Sequence, residues 1–477
     1  MIDEEIRDIE RPKNTIVKST KNSNIYMVIE RVGCKYSNGK RIPVNGHVVG
    51  HIIDGKYVKK EKEVKRVSAR DILVLKYGNV AFADSVANSL LTDLKSVYNS
   101  KDANIIYTLA LLRSSFGDIK DYQLQDKYNK SWASILYPNI PLSKNFISKF
   151  LTDLGASYDL IVKFMNNRID SMVNEKTKVL IDGMLKNNSS IVNSFSGFSY
   201  KGKIKGMTDI SIMVALDYDK KEPLCSKVYK GNMPDFANIK DFLEEYKIEK
   251  GIKIGDKGFP FERIENIHSD KKIGFLHPIK RNDSFVHKAN MYENLNSLTV
   301  LDNTLLASKK YNCNNNLNYY FFKDLDKAAK EEKDYLKGNR DNLNQQDYAY
   351  RKRTFGSICF VSNIDIEIED VYRYYEFRWE IELVFKMYKN IISLNTTRVH
   401  DDTSIIGTEF INFLATIITC KMKNKIKDKC LHKQYTYKDI IERLTDIIKY
   451  SSDEKRNNWR LCTMSKEDKN ILDTLCV

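Results

Sequence analysis

The sequence predicts a mixed α/β core, a sheet flanked by helices, which follows a β-then-helical N-terminal region and precedes a helical C-terminus. Three patterns in the 477 residues support this fold class. Apolar residues recur at helical spacing from about 68 to 172. Two apolar runs, KVLIDG (178–183) and DISIMVALDY (209–218), then predict buried strands. The helical pattern returns after residue 366.

The same patterns divide the chain into six regions. They are a small basic β-rich region at 1–67, a helical region at 68–172, a first part of the α/β core at 173–268, a β-rich insertion at 269–366, a second part of the core at 367–425 and a helical C-terminal region at 426–477. In the first region, the charge run KYVKKEKEVKR (56–66) is expected to be a solvated linker. In the last, YTYKDIIERLTDII (435–448) predicts a helix.

The chain carries a surplus of positive charge. Lysine and arginine number 78 against 63 acidic residues, which gives a net charge of +15 and a pI near 9.1. A surplus of this size suits a polyanionic partner such as nucleic acid. The chain is also rich in the Lys, Asn, Ile and Tyr that AT-rich genomes favour, so composition alone leaves the partner open.

Other features argue against a secreted or membrane protein. The eight cysteines include no CxxC pair and are expected to be reduced cytosolic thiols. The charged N-terminus lacks the apolar core of a signal peptide. The longest apolar run, IIGTEFINFLATIITC (405–420), is interrupted by Glu409 and Asn412 and is shorter than the ~20 residues that span a bilayer. It therefore predicts a buried helix, and we expect no membrane partner.

The segment LSKNFISKFLTDLG (142–155) predicts a helix with Ser143 as its N-cap, a basic exposed face and Gly155 at its end. Two interpretations fit this pattern. One is the recognition helix of a helix-turn-helix motif, and the other is an ordinary core helix.

The stretch YYEFRWEIELVFKMYKN (374–390) predicts a helix with two distinct faces. At 100° per residue, one strip about 60° wide contains Tyr375, Arg378, Glu382 and Lys389. An apolar sector lies beside the strip. A salt-bridged surface is one explanation, because Arg378 and Glu382 stand four residues apart. The alternative is that the apolar sector packs on a sheet while the strip faces a site.

Carboxylates elsewhere in the chain favour the alternative. Asp182 closes the apolar run VLI, and Asp256 closes IKIG before a turn. Strand ends are where an α/β sheet presents side chains to a ligand, although a single Asp there is more often a turn or cap residue. Together with Glu382, the two aspartates would form an oxygen cage for hard divalent cations such as Mg²⁺. Two such ions suit phosphodiester chemistry.

The spacing Tyr375-x2-Arg378-x3-Glu382-x6-Lys389 resembles the Tyr-Arg-Glu-Lys signature of bacterial DDE transposases of the insertion-sequence-four type. Three further stretches are similar to that family, namely IDG (181–183), KGN-x2-D (230–235) and GDKGF (255–259). The long interval between the second aspartate and the glutamate is similar to that in members with a β-rich insertion. The resemblance covers about residues 175–425 firmly and the N-terminal 170 residues only loosely.

The resemblance implies an RNase H-like catalytic core that the β-rich insertion interrupts. It makes Asp182, Asp256 and Glu382 the catalytic triad, which would bind two Mg²⁺ or Mn²⁺ ions. It also implies that Tyr375, Arg378 and Lys389 contact DNA. Residues 68–172 would then bind the ends of the element, and 426–477 would suit dimerisation.

The activity implied by the resemblance is cut-and-paste DNA transposition. Metal-activated water would hydrolyse the ends of the element, and the freed 3′ hydroxyl would attack target DNA. The expected partners are double-stranded DNA, as terminal inverted repeats and as target, and a second copy of the chain in a homodimer. The expected location is the bacterial cytoplasm, in association with the nucleoid. Two alternatives stay open: a domesticated or inactive transposase that only binds DNA, and a stand-alone RNase H-like nuclease.

The chain departs from the family pattern at two places. Met184 stands two places after the first aspartate, where many relatives have Thr. Some relatives hold a flipped base with a Trp of the insertion, but Trp132, Trp379 and Trp459 all lie outside that region. The aromatic run 319–322 would have to serve instead, unless it belongs to the core.

Overall fold

The computed structural model describes the chain except for residues 1, 21–23, 38–39, 61–71, 118, 200–205, 234, 256–273, 294, 296, 302–303, 313–316, 341, 377, 392–395, 398 and 453–457. It divides into two compact units. One comprises Met1–Ile72 with Ser452–Glu454, and the other comprises Leu73–Ser451 with Lys455–Val477.

The smaller unit is built on an antiparallel sheet. It contains helix α1 (Glu4–Arg7) and strands β1 (Thr15–Ser19), β2 (Ile25–Ser37), β3 (Lys40–Ile53) and β4 (Lys56–Lys59), which pair in chain order. The prediction that 56–66 is a linker is wrong at its start, because β4 pairs with the end of β3. Residues 61–66 lie outside the described part.

The larger unit contains the remaining strands. Those of the main sheet are β6 (Lys178–Asn188), β7 (Thr208–Asp217), β8 (Glu222–Lys230), β9 (Ile252–Ile254), β10 (Gly274–Ile279), β11 (Ser297–Leu301), β12 (Thr304–Asn312), β13 (Asn318–Asp324), β14 (Ser357–Ser362) and β15 (Thr396–Thr397). A separate small sheet contains β5 (Leu73–Lys76), β16 (Ile448–Ser451) and β17 (Arg460–Leu461).

Helices of the larger unit precede, interrupt and follow these strands. They are α2 (Gly78–Ala87), α3 (Ser89–Lys95), α4 (Ser100–Phe116), α5 (Leu124–Asn129), α6 (Ala133–Leu136), α7 (Lys144–Ala156), α8 (Tyr158–Met172), α9 (Asp235–Glu245), α10 (Ser284–Lys288), α11 (Leu325–Gly338), α12 (Gln345–Thr354), α13 (Ile368–Glu376), α14 (Arg378–Lys386), α15 (Asp402–Asp428), α16 (Tyr437–Asp446) and α17 (Lys466–Leu475). Short 3-10 turns occur at Asp121–Gln123 and Leu431–Lys433.

Small strands occur in two regions that the sequence predicts to be helical. β5 lies at the start of the 68–172 region and pairs antiparallel with β16. The helix predicted over 435–448 forms from Tyr437 to Asp446. Ile448, the last residue of the predicted stretch, belongs to β16 instead. Both strands depend on a partner far away in the sequence, which a local apolar pattern does not reveal.

The predicted α/β core is confirmed as one mixed sheet. Among the described residues its strand order is β11-β12-β13-β14-β10-β9-β6-β7-β8, and β15 pairs with β6. The strands of the region 269–366 continue this sheet, since β10 pairs with both β9 and β14. The boundaries assigned to an insertion stay a prediction.

The aromatic run of β13 belongs to the core. Its four residues are each at most 8% exposed, and they are Tyr319, Tyr320, Phe321 and Phe322. Of the two interpretations of this run, the structure supports core packing.

Two apolar layers cover the central strands. Val179 and Ile181 of β6 belong to the layer that contains helices α2–α8 and α15. Leu180 and Met184 belong to the opposite layer, which contains α14. Neighbouring residues of β6 therefore face different helices, as the alternation of a strand requires.

The prediction of a buried helix over 405–420 is confirmed by α15. This helix is long and apolar enough to cross a membrane, but 83% of its most apolar window is buried inside the protein. Helix α7 packs beside it, with Ile147, Leu151 and Leu154 buried, as the core-helix interpretation predicts. The predicted N-cap of α7 is confirmed too, because the Ser143 side chain accepts a hydrogen bond from the Phe146 N–H at 3.4 Å.

Candidate active site

Asp182 lies on the central strand β6, between β9 and β7. Its side chain is partly buried, and Oδ1 accepts a hydrogen bond from the N–H of Gly183 at 2.8 Å. The prediction that Asp182 ends its strand is wrong. Hydrogen bonding to β7 continues as far as Asn188, which lies opposite Thr208. The carboxylate therefore projects from the middle of a strand rather than from a loop.

The second predicted carboxylate, Asp256, lies outside the described residues. The parallel ladder between β9 and β6 ends with Ile254 opposite Leu180. Asp256 follows Ile254 by two residues, and Asp182 follows Leu180 by two.

Glu382 is exposed on α14. Its neighbour Ile381 is buried in the same apolar cluster as Leu180 and Met184 of β6. Alternate residues of a strand share a face, so Asp182 lies on the side of the sheet that α14 covers. The structure thus brings the strand of Asp182 and the helix of Glu382 together.

The helix predicted over 374–390 is not regular throughout. Helix α13 is followed, after one undescribed residue, by α14. A π-helical turn, Met387–Ile391, then follows α14. Because a π turn hydrogen-bonds from i to i+5, the α-helical angles used for the 60° strip do not hold at Lys389. The prediction of one uniform α-helix is wrong at this end.

The predicted DNA contacts have different surroundings. Tyr375 is half-buried, and its ring meets Phe360 edge-on with 5.0 Å between the ring centroids. Arg378 is the first residue of α14, but its side chain lies outside the described part of the chain. Contacts of either residue with DNA stay predictions.

Lys389 lies in the π turn, near a buried carboxylate that the sequence does not reveal. This carboxylate is Asp209 of β7, which is 2% exposed. Burial raises the pKa of Asp209, and the positive charge of Lys389 opposes that shift. Its Oδ2 atom has no hydrogen-bond partner among the described groups. In the sequence, Asp209 is only the polar start of an apolar run, so no pattern marks it.

The described residues include two of the three predicted metal ligands, Asp182 and Glu382. Among the residues that the structure describes, no three His, Cys, Asp or Glu side chains form a cluster able to hold a metal ion, and Asp256 is not one of those residues. Asp182 and Glu382 supply carboxylate oxygens, the donors that Mg²⁺ prefers. Both side chains have access to solvent, so the chemistry of their donor atoms suits a hard divalent cation.

Comparison with protein families decides the identity of this domain. Residues 175–416, just over half of the chain, match the family described as the transposase DDE domain. The chain belongs to the transposase DDE domain family. Membership identifies a DNA transposase, which is a polynucleotidyl transferase or endonuclease, and the family generally uses divalent metal ions. The matched part of this DDE transposase contains Asp182, Asp256 and Glu382.

Among solved structures, the DDE transposase is similar to a piggyBac transposase in a cryo-EM synaptic complex with hairpin DNA. The sequence identity is 11%, the TM-score is 0.41, and the match covers 79% of this chain and 76% of that one. A likeness at this level carries no argument about fold or function. No curated protein matches the chain.

Proposed function

We propose that this DNA transposase moves a bacterial insertion sequence of the insertion-sequence-four type by cutting and pasting. One observation carries the proposal. The DDE match contains the three carboxylates in the expected order, and the Tyr-Arg-Glu-Lys spacing surrounds the last of them. The strand of Asp182, β6, pairs in parallel with β9, which precedes Asp256 in the chain.

In this proposal Asp182, Asp256 and Glu382 hold two Mg²⁺ or Mn²⁺ ions in an RNase H-like core with a β-rich insertion. Held there, such ions would supply activation of the attacking oxygen and stabilisation of the leaving oxygen. The residues that hold the phosphates of the element's end are Tyr375, Arg378 and Lys389. Their basic and phenolic groups are donors to phosphate oxygens.

The proposed partners are double-stranded DNA, as terminal inverted repeats and as target, and a second copy of the chain. The proposed location is the bacterial cytoplasm, on the nucleoid. The net charge of +15 supports a polyanionic partner. A protein that only binds DNA and a stand-alone nuclease are the competing functions.

Replacement of Glu382 tests the proposal. Wild type, Glu382→Gln and the control Glu376→Gln are incubated with element-end DNA and Mg²⁺. We expect Glu382→Gln to bind the DNA normally but to cut it about a thousandfold more slowly, because a lost metal ligand removes several kcal/mol of transition-state stabilisation. The control should cut at the wild-type rate, because Glu376 is none of the proposed metal ligands or DNA contacts.

The outcomes separate the three functions. Wild-type cleavage by Glu382→Gln would show that the mechanism is wrong. A wild type that binds ends but never cuts them with any divalent metal would support the DNA-binding alternative. A wild type that cuts ends but cannot join them to target DNA would support the nuclease.

A further inference from the structure

A buried polar network joins three elements near the candidate active site. Lys186 of β6 donates a hydrogen bond to Oε1 of Glu409 at 2.6 Å. The hydroxyl of Tyr388, in the π turn, donates to Oε2 of the same carboxylate. Glu409 belongs to α15. Lys186 is 2% exposed, Glu409 3% and Tyr388 5%. The network is therefore screened from water.

The network is placed to act on the predicted metal ligands. Lys186 follows Asp182 by four residues on β6, and Tyr388 follows Glu382 by six. The strand of one ligand and the helical segment of the other are therefore tied to the same carboxylate. That carboxylate stands on a third element, which carries none of the predicted ligands.

Glu409 is held by more than these two donors. The side-chain amide of Asn412 donates to Oε2 of Glu409 at 3.2 Å. Asn412 in turn accepts from Arg113 of α4, and Arg113 also donates to Asp121 at 3.0 Å. Three side-chain donors thus hold the Glu409 carboxylate.

Stability alone does not account for this arrangement. Taking an ammonium and a carboxylate out of water costs free energy, and apolar side chains of similar volume often pack at least as stably. A buried ion pair with directed hydrogen bonds instead restricts the separation and orientation of the elements that carry it. In this protein those elements are β6, α15 and the π turn.

We propose that Glu409 is a positioning residue of the transposase. Through Lys186 and Tyr388, it holds β6 and the π turn at a fixed separation. The result is the alignment of Asp182 with Glu382 for binding a divalent cation. This inference rests on the proposed function, since it takes the two carboxylates as metal ligands. Mg²⁺ demands near-ideal octahedral geometry, so it binds poorly to ligands that are out of position.

Two variants of the full chain test the proposal. Tyr388→Phe removes one hydroxyl and keeps the ring. The second is the double variant Lys186→Met with Glu409→Gln. It removes both charges of the ion pair, and the amide oxygen of the new glutamine can still accept a hydrogen bond from Tyr388. The matched control is the double variant Arg168→Met with Glu222→Gln. It removes another buried ion pair, which links α8 to β8 with 2.9 Å between Nη2 of Arg168 and Oε2 of Glu222.

Four measurements are made on each variant: Mn²⁺ binding to the DNA-free protein by calorimetry, hydrogen exchange of peptides covering 378–391, melting temperature, and cleavage of element-end DNA. Groups that orient metal ligands typically contribute a factor of about 10 to 100 to metal affinity or activity. We therefore expect both network variants to bind Mn²⁺ at least about tenfold more weakly and to cut more slowly. Exchange should rise in the π turn while the melting temperature stays close to that of the control. The control should keep its Mn²⁺ affinity.

Wild-type Mn²⁺ affinity and wild-type exchange in both network variants would overturn the proposal. A wild type that binds no Mn²⁺ would do so as well. Melting far below the control, with exchange raised along the whole chain, would make the network purely structural and also overturn it. If the wild type binds Mn²⁺ but cuts no DNA, the proposed function fails, whereas the binding and exchange data still decide this inference.

Discussion

Replacement of Gly407 by alanine is expected to destabilise the protein by about 2 kcal/mol. Gly407 on α15 and Gly155 on α7 lie where the two helices cross. A Cβ on Gly407 would overlap the carbonyl oxygen of Leu151. It would also lie 3.0 Å from the carbonyl carbon of Leu151 and 3.1 Å from the nitrogen of Gly155. These atoms are backbone, so they cannot rotate away as a side chain can.

The magnitude follows from two opposing effects. An extra methyl group in a close-packed contact costs ~1–3 kcal/mol, and the upper end applies because whole helices must separate. The separation needed to restore ordinary van der Waals distances is about 1 Å. Alanine recovers about 1 kcal/mol through its higher helix propensity than glycine. The net loss is therefore about 2 kcal/mol.

Urea unfolding measures this loss. The control is Gly338→Ala at the exposed end of α11, where an added Cβ meets nothing within 4 Å. We expect the control to keep or slightly raise the free energy of unfolding, by at most about 1 kcal/mol. Equal stability of the two variants, at an unchanged dependence on urea, would refute the close crossing of α7 and α15.

Three further predictions concern single side chains. Burial raises the pKa of Asp209 above its ordinary 3.8 in the folded protein. Ionisation of Asp209 is therefore less favourable in the folded than in the unfolded chain, which lowers stability at pH values above 3.8. Asp209→Asn should therefore melt at a higher temperature than wild type near neutral pH, and the difference should shrink as pH falls towards 3.8. Lys389→Ala should weaken binding to element-end DNA and reduce the slope of log affinity against log salt by about 0.9, as measured by fluorescence anisotropy. An unchanged slope would count against a phosphate contact. Ser143→Ala removes the N-cap of α7 and should lower the free energy of unfolding by about 1 kcal/mol, as followed by circular dichroism.

The fold was predictable where its signals are local. The apolar run 209–218 forms the buried strand β7 because its pattern is continuous over the whole strand. The N-cap of α7 depends only on Ser143 and the turn that follows it. By contrast, β5 forms because Leu73–Lys76 pair with Ile448–Ser451, and no window of neighbouring residues contains that information.

The candidate site was predictable in composition but not in geometry. The sequence indicated Asp182 because it closes an apolar run, and Glu382 because it stands in the Tyr-Arg-Glu-Lys spacing. The position of Asp182 within β6 depends on pairing with β7, which only the folded sheet shows. The sequence marks Glu409 merely as an interruption of an apolar run. Its partner Lys186 stands 223 residues earlier, so their ion pair has no local signal.

The end of the family match has a consequence for how this protein can be divided. The match stops at residue 416, but α15 continues to Asp428. In the part of α15 that follows residue 416, Ile417, Ile418 and Met422 are buried. A chain cut at 416 would leave their partners in the N-terminal helices exposed to water. The part of the chain that matches the family is therefore shorter than the smallest piece expected to fold alone, and its boundary falls inside α15.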